Sequence, residues 1–394
     1  MSRALTLTEG GDPVTAPLTE GEAAALAGTR LAMPLRTADP NEWQLVPGRR
    51  VGTVRIGPGL QITVHPKVNV DRLVFMMGYA RNPKFWRDDP VALPRHAELP
   101  EALAHTFQRL AASALEQGLL HGYKTVEDSL HVVRGRIRTD DQLRLRFDRP
   151  LPVEVRYDEF TADISENQLL LVAVLRLLRA PKVTAAIRAG LHRLRLQLAD
   201  VQQLPTGKSL PSWQPSRLNA RYQPALHLAE LIIAATSFEQ RGPGPDTDVS
   251  GFVLDTWRIF EDFVCVALGE ALAAEMPGRG VFQHRDRLDE ANHVPIEPDF
   301  TWWNGRRPVI VADAKYKQER LDGYPNADAY QLLAYCTALD VRDGHLIYAE
   351  GDRRPEVLKV RNSPVRIHWH ALDLSREPAG MLDDVDRLAR QLMA

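Results

Sequence analysis

Pro298-Asp299-Phe300-Thr301-Trp302-Trp303-Asn304-Gly305-Arg306-Arg307-Pro308-Val309-Ile310-Val311-Ala312-Asp313-Ala314-Lys315 decides how this chain is read. Pro308–Ala312 is an unbroken apolar run, the pattern of a strand buried on both faces. Side chains alternate along a strand, so Asp313 and Lys315 share one face at its end. Asp299-Phe300-Thr301-Trp302-Trp303 reads as a second strand, and Asn304-Gly305 as the turn between them. Paired as a hairpin, the two strands bring Asp299 beside Asp313. Two carboxylates and one lysine then converge.

Close carboxylates repel each other, which raises a pKa, and a divalent cation relieves that repulsion. Oxygen donors favour Mg²⁺, which takes one or two carboxylates together with water and substrate phosphate. Such an ion acidifies bound water and polarises a phosphate, and Lys315 can position the water or neutralise developing charge. The set suits phosphodiester hydrolysis. A hairpin end carrying an ordinary salt bridge is the plain alternative, and a lone D-x-K is a weak signal.

The surroundings add weight. A helix is expected over 254–272, with Trp257, Val264, Leu268 and Ala271 on its buried stripe. Glu261 lies on that stripe, where a carboxylate is costly unless paired, protonated or metal-bound. It is the third candidate ligand, a buried pair with an arginine being the other reading. A helix over about 325–339 places Gln331 and Tyr335 four residues apart on one face. That face either packs toward the site, with Gln331 at phosphate or water, or is ordinary packing.

The 394-residue length suggests two or three domains, and 44% apolar with 25% charged residues is ordinary globular composition. Cys265 and Cys336 alone make neither a disulfide framework nor a structural zinc site, so an intracellular, cytoplasmic protein is expected. No 18-residue apolar run and no secretory signal are visible, and no membrane association is expected. Residues 251–394 hold 18 Lys+Arg against 24 Asp+Glu, a balance of -6; the whole chain is at -2, which leaves +4 for residues 1–250. Seven arginines (134, 136, 138, 144, 146, 149 and 156) fall within 130–156, offset by four acids. They could grip phosphates or be solvated charges on a two-strand surface.

Three domains are expected. Residues 1–80 read as β-rich and partner-docking. Residues 9–17 look like a loop, Thr19 and Glu22 form a capping box before a helix at 20–27, and strands fall at 43–47, 51–56 and 60–66 around Gly57-Pro58-Gly59. A helix at about 70–80 closes this part. Residues 81–245 read as a helical region with a basic β-hairpin, a stalk or docking arm. It starts with a connection at 81–97, then has a helix at 99–119, strands near 129–138, 142–147 and 152–156, and a helix at 165–179 with Ser165 and Gln168 as its capping box. A linker at 203–215 and a helix at 224–238 follow. Gly242-Pro243-Gly244-Pro245 marks the boundary to the third domain, 246–394, a mixed α/β core with the site at one edge. Gly207-Lys208-Ser209 imitates a phosphate loop, but the glycine required five positions before Gly207 is Gln202.

The order helix-Glu261, Pro298-Asp299, Asp313-x-Lys315, then Gln331 and Tyr335, resembles the PD-(D/E)XK nuclease superfamily. The wider sequence resembles the McrC family, nuclease subunits of McrBC-type modification-dependent restriction systems. Val51–Val68, Arg134-Gly135-Arg136, Tyr157-Asp158-Glu159-Phe160-Thr161 with Asn167, Arg217–Tyr222, Phe260–Val264, Asp313–Lys317 and Tyr330-Gln331-Leu332 carry that likeness. It implies that Asp299 and Asp313 bind Mg²⁺ (with Mn²⁺ as a substitute), that Glu261 completes or water-links the cluster, and that the Ala314 carbonyl faces the metal. Lys315 is then the catalytic lysine and Gln331 a supporting residue. It also implies a partner, a hexameric McrB-like AAA+ GTPase that recognises modified double-stranded DNA such as 5-methylcytosine DNA. GTP is used by that partner, whose hydrolysis this chain stimulates. The material before Val51 is longer than the family pattern. A non-catalytic adaptor of such a GTPase and a stand-alone repair nuclease of the same fold remain the competing readings.

Overall fold

A computed structural model describes residues 3–88, 98–147, 149–205, 209–235, 238–240, 249–318, 326–350 and 356–393. The chain divides into two compact units, one of residues 1–102 with 235–394 and the other of 103–234. The first and last expected domains thus fall in one unit.

In the first unit, a five-stranded sheet runs in the order Arg3–Thr8, Leu60–His65, Arg50–Ile56, Val249–Asp255, Phe238–Gln240. Arg50–Ile56 and Leu60–His65 form the expected hairpin, and Arg3–Thr8 adds parallel to it. Val249–Asp255 joins antiparallel to Arg50–Ile56, although some two hundred residues separate them in sequence. Gly52 permits this approach: a Cβ there would meet the Phe252 carbonyl oxygen at 1.9 Å, and its φ of +136° suits glycine alone. Arg50 fastens the end of the pair by a two-point contact with Asp255 (2.6 and 3.3 Å). A smaller sheet, Val14–Pro17, Glu42–Pro47 and Ala32–Arg36, shares its apolar core, with Leu26 of the Glu20–Thr29 helix at the centre. The Thr19–Glu22 capping box is present. Residues 9–17 are not simply a loop, because Val14–Pro17 is a strand and Glu9 is buried.

The same unit contains a six-stranded mixed sheet in the order Arg279–Phe282, Phe300–Asn304, Arg307–Gln318, Asp343–Glu350, Arg366–Ala371, Glu356–Lys359. Phe300–Asn304 and Arg307–Gln318 are the expected hairpin, with Gly305 at φ +61° in its turn. Arg307–Gln318 then runs parallel to Asp343–Glu350, buried between neighbours as its apolar run demands. Leu332, Tyr335 and Cys336 of the Asn326–Ala338 helix pack with Val311, Leu346 and Trp369 on one face. The Thr256–Glu275 helix covers the other, where Phe260 meets Tyr316 and Gly269 lies against Phe282 and Phe300. Val264, Leu268 and Ala271 are buried as expected, but Trp257 is 37% exposed, since it sits one residue into the helix and off the packed side.

In the second unit, the helices Leu99–Leu115, Ser165–Arg179, Ala185–Gln197 and Gln223–Ala235 carry the apolar core. Val70–Tyr79 in the first unit and these helices agree with the sequence periodicity, except Ala185–Gln197, which it did not single out. The 224–238 expectation overran, because Phe238–Gln240 is a strand. Ser165 and Gln168 do not form a capping box. Ile164 is the N-cap, and Gln168 Nε2 donates to Asp163 instead (2.7 Å). A three-stranded sheet, Gly122–Leu130, Val153–Thr161 and Arg136–Ile137, projects little into any core. Between its strands, Thr139–Arg146 is a helix, where a strand was expected at 142–147. The Gly242–Pro245 break and Gly207-Lys208 lie outside the described residues.

Candidate active site

Alternation along Arg307–Gln318 sends Asp313 and Lys315 to the side of the Asn326–Ala338 helix, and Ala312, Ala314 and Tyr316 to the side of Thr256–Glu275. Phe300 pairs with Ala312, so Asp299, one residue before Phe300, arrives beside Asp313. Asp299 Oδ2 accepts from the Ala314 N–H (2.8 Å). In an extended strand a residue's N–H and C=O point to the same side, so the Ala314 carbonyl turns toward Asp299 too.

Lys315 Nζ forms an ion pair with Asp313 Oδ2 and donates to Gln331 Oε1 (3.1 Å). Gln331 Nε2 in turn donates to the Tyr335 hydroxyl (2.7 Å), which donates to the Glu297 carbonyl (3.3 Å). This chain fixes the lysine from the helix side. Gln331 and Tyr335 are therefore turned to the site rather than into ordinary packing.

Crowding shows in the proton equilibria. Burial, then the neighbouring Asp313 and Glu261 carboxyls, raise the Asp299 pKa well above the carboxylate range, against the Ala314 N–H. Glu261 is pushed up to about 7, chiefly by burial, with Asp313 and Asp262 adding to it and Lys315 opposing. Burial works against the Lys315 ammonium, yet Asp313 and then Asp299 outweigh it and raise its pKa. Asp313 Oδ2 is buried, and the Lys315 ammonium is its ion-pair partner.

Those are the marks of a group of oxygen donors short of positive charge. Their chemistry fits a hard divalent cation: oxygen atoms throughout, two carboxyls buried side by side, and one of them forced toward protonation. The side chains do not stand as a ready-made cage, since among the described residues no three acids, histidines or cysteines are grouped to hold a metal. Lys315 supplies compensating charge at Asp313, Asp299 is driven toward its protonated form, and the Glu261 charge adds to that through space. Asp299, Asp313, Lys315 and Gln331 are thus in direct contact, and Glu261 is near.

Two residues near this group were not singled out in the sequence. Asp328, buried and accepting from the Tyr348 hydroxyl (2.7 Å), adds to the negative field at Lys315. Cys265, one turn beyond Glu261, donates its thiol to the Asp299 carbonyl (3.3 Å), and burial, then the Asp299 charge, push its pKa up. Asp328 precedes Gln331 by three positions, a helical spacing that could have flagged it.

Residues 46–349 match the family described as McrBC 5-methylcytosine restriction system component. The chain belongs to that family. No curated protein matches it. Among solved structures, the fold is similar to a chain in the refined half-complex from a tetradecameric assembly of Thermococcus gammatolerans McrB AAA+ hexamers with bound McrC. That likeness has a TM-score of 0.57 at 17% identity and covers 99% of this chain and 100% of the other. A cryo-EM structure of the Thermococcus gammatolerans McrBC complex gives a TM-score of 0.41 at 18% identity, covering 68% and 88%. The chain is therefore a McrBC restriction system component of mixed α/β fold with the expected mixed sheet. Among the described residues, no helix is long and apolar enough to cross a membrane.

Proposed function

We propose that this McrBC component is the DNA endonuclease subunit of its system, of the PD-(D/E)XK type and dependent on Mg²⁺. The observation that carries this reading is the contact set Asp299–Asp313–Lys315–Gln331 on one edge of the mixed sheet. An adaptor needs no such set. Asp299, Asp313 and the Ala314 carbonyl would hold Mg²⁺, with Glu261 reaching it through water; Mn²⁺ satisfies the same oxygen donors. The ion supplies Lewis acidity and acidified water at the phosphate.

The chain's own residues do the rest. Lys315, held in register by Gln331, places its ammonium where negative charge grows on the phosphate oxygens. Gln331 holds the ammonium by a hydrogen bond, and Tyr335 keeps Gln331 in place. Asp313 holds Lys315 charged. The sheet fixes all of these on strands and a packed helix rather than on loops, which preserves geometry at the reacting phosphate.

The partner is a McrB-like AAA+ GTPase hexamer, as in the similar assembly, and the substrate is modified double-stranded DNA. GTP is bound by the partner, whose hydrolysis this chain stimulates. The second unit supports a docking role, because Tyr123 and Phe160 stand 78% and 62% exposed on its three-stranded sheet. Single-sign charge is modest, and the site's half of the chain is acidic, so the grip on DNA belongs to the assembly. The test combines methylated plasmid and Mg²⁺ with this chain, with and without its GTPase and GTP. Cutting only in the complete mixture supports the proposal. Cutting by this chain alone indicates a stand-alone nuclease, and GTPase stimulation without cutting indicates an adaptor.

A further inference from the structure

Glu9 lies in none of the motifs that suggest chemistry, and it precedes the segment matched by the family, residues 46–349. It follows the first strand, with its backbone N–H donating to the His65 carbonyl (2.9 Å). Its side chain is nonetheless buried, at 6% exposure. Each carboxylate oxygen has a separate partner. Thr256 donates its hydroxyl to Oε1 and also faces the Arg49 carbonyl at 3.0 Å. Tyr316 donates its hydroxyl to Oε2 (3.2 Å), and the Lys67 N–H reaches the same atom (3.4 Å). The Lys67 ammonium lies 4.6 Å from the centre of the Tyr316 ring, which also meets Phe260.

These partners are placed to matter. Thr256 opens the helix that carries Glu261, and Tyr316 follows Lys315 directly on the catalytic strand. Phe260 precedes Glu261. One buried carboxylate from the five-stranded sheet therefore ties the start of the helix and the end of the strand that flank the site. A buried carboxylate is expensive unless its oxygens are used, and a hydrophobic side chain would fill the space more cheaply if filling were all that mattered.

We propose that Glu9 is a positioning residue for the nuclease site, setting the distance between Glu261 and Lys315 through Thr256 and Tyr316. This rests on the nuclease reading above for its catalytic consequence, but not for its structural one. It also assigns a use to the N-terminal strand that the family segment lacks.

The test uses the full chain with its GTPase partner, methylated DNA and Mg²⁺, and compares Glu9→Ala, Glu9→Gln and Tyr316→Phe. Misplacement of a fraction of an ångström is expected to lower the maximal cutting rate of Glu9→Ala about tenfold. The DNA concentration for half-maximal rate stays unchanged, and the Mg²⁺ concentration needed rises. Glu9→Gln, which keeps an oxygen for one hydroxyl, recovers most of the rate. Tyr316→Phe, which removes a hydroxyl and leaves the packing, loses less than Glu9→Ala in the same direction and serves if Glu9→Ala does not fold. Adding Tyr316→Phe to Glu9→Ala brings no further loss, because the contact is already gone.

Hydrogen exchange on the chain alone supplies a readout without activity: amides of residues 256–261 and 312–316 exchange faster in Glu9→Ala, while those of 51–56 do not. Wild-type rates and unchanged exchange in Glu9→Ala and Tyr316→Phe would overturn the proposal and leave the nuclease reading standing. Faster exchange in Glu9→Ala, together with a wild-type assembly that never cuts, would uphold the positioning link and sink the nuclease reading.

Discussion

The mixed sheet of the first unit and the three-stranded sheet of the second use their side chains in opposite ways. In the former, Val311, Ala312, Leu346, Ile347 and Trp369 are buried, and polar residues that remain inside are partnered, Asp313 with Lys315 and His345 with His370. In the latter, Tyr123 and Phe160 face solvent, as do Val132, Leu143 and Phe147 in the segment between its strands, and His121 and Tyr123 lie against Phe160 beside them (5.3 Å each). Most arginines in and beside it are bound up locally, Arg156 and Arg138 with Glu127, Arg146 with Glu154, and Arg134 over the Tyr157 ring at 4.0 Å. A buried platform fixes reacting groups. An exposed sheet with apolar tips and internally paired charges fits a protein surface better than a phosphate backbone.

The largest effect separating the two regions is expected from Lys315→Ala. It should lower cutting by about 10²–10³-fold, the usual cost of losing one group that stabilises transition-state charge, with the assembly still formed. A single-turnover rate together with a sedimentation profile checks both halves. Next, replacing Tyr123, Phe147 and Phe160 together with serine should weaken affinity for the GTPase about a hundredfold, as loss of a hot-spot cluster does. The melting temperature should hardly move, and wild-type affinity in that variant would break the contrast. Core and surface leucines sharpen it further. Leu346→Ala should cost about 2–5 kcal/mol of stability, and Leu143→Ala about 0.5 kcal/mol or less, by denaturant titration.

Legibility in the sequence followed the same divide. The Asp299–Lys315 hairpin was readable because burial on both faces leaves an unbroken apolar run, and Asp313 and Lys315 are then anomalies at its end. The Gln331–Tyr335 spacing was readable because helical periodicity puts both on one side. By contrast, Leu143-Arg144-Leu145-Arg146 alternates like a half-buried strand, yet it is a helix with no core beneath it, so its pattern carries no burial signal. Ser165 was misleading because Asp163 offers Gln168 a better partner than the capping geometry does. Glu9 could not be read at all: its partners Thr256 and Tyr316 lie 247 and 307 residues away. Only the fold brings them together.

A further predicted effect concerns pH. The folded-state pKa of Glu261 is raised from 4.5 to about 7, so in metal-free protein the folded state keeps a proton that the unfolded chain releases. Its contribution is therefore neutral below the unfolded pKa and grows unfavourable as pH rises toward 7. Glu261→Gln should match wild-type melting near pH 4 and exceed it at pH 8. Identical profiles would contradict the burial of Glu261 beside Asp313.

The most direct test of the account measures DNA cutting and GTP hydrolysis in one reaction containing Asp313→Ala, the GTPase, methylated plasmid and Mg²⁺. The division of labour predicts that cutting disappears while stimulated GTP hydrolysis continues at the wild-type rate. Persistent cutting would place the chemistry somewhere other than the Asp299–Asp313–Lys315 edge and contradict the account.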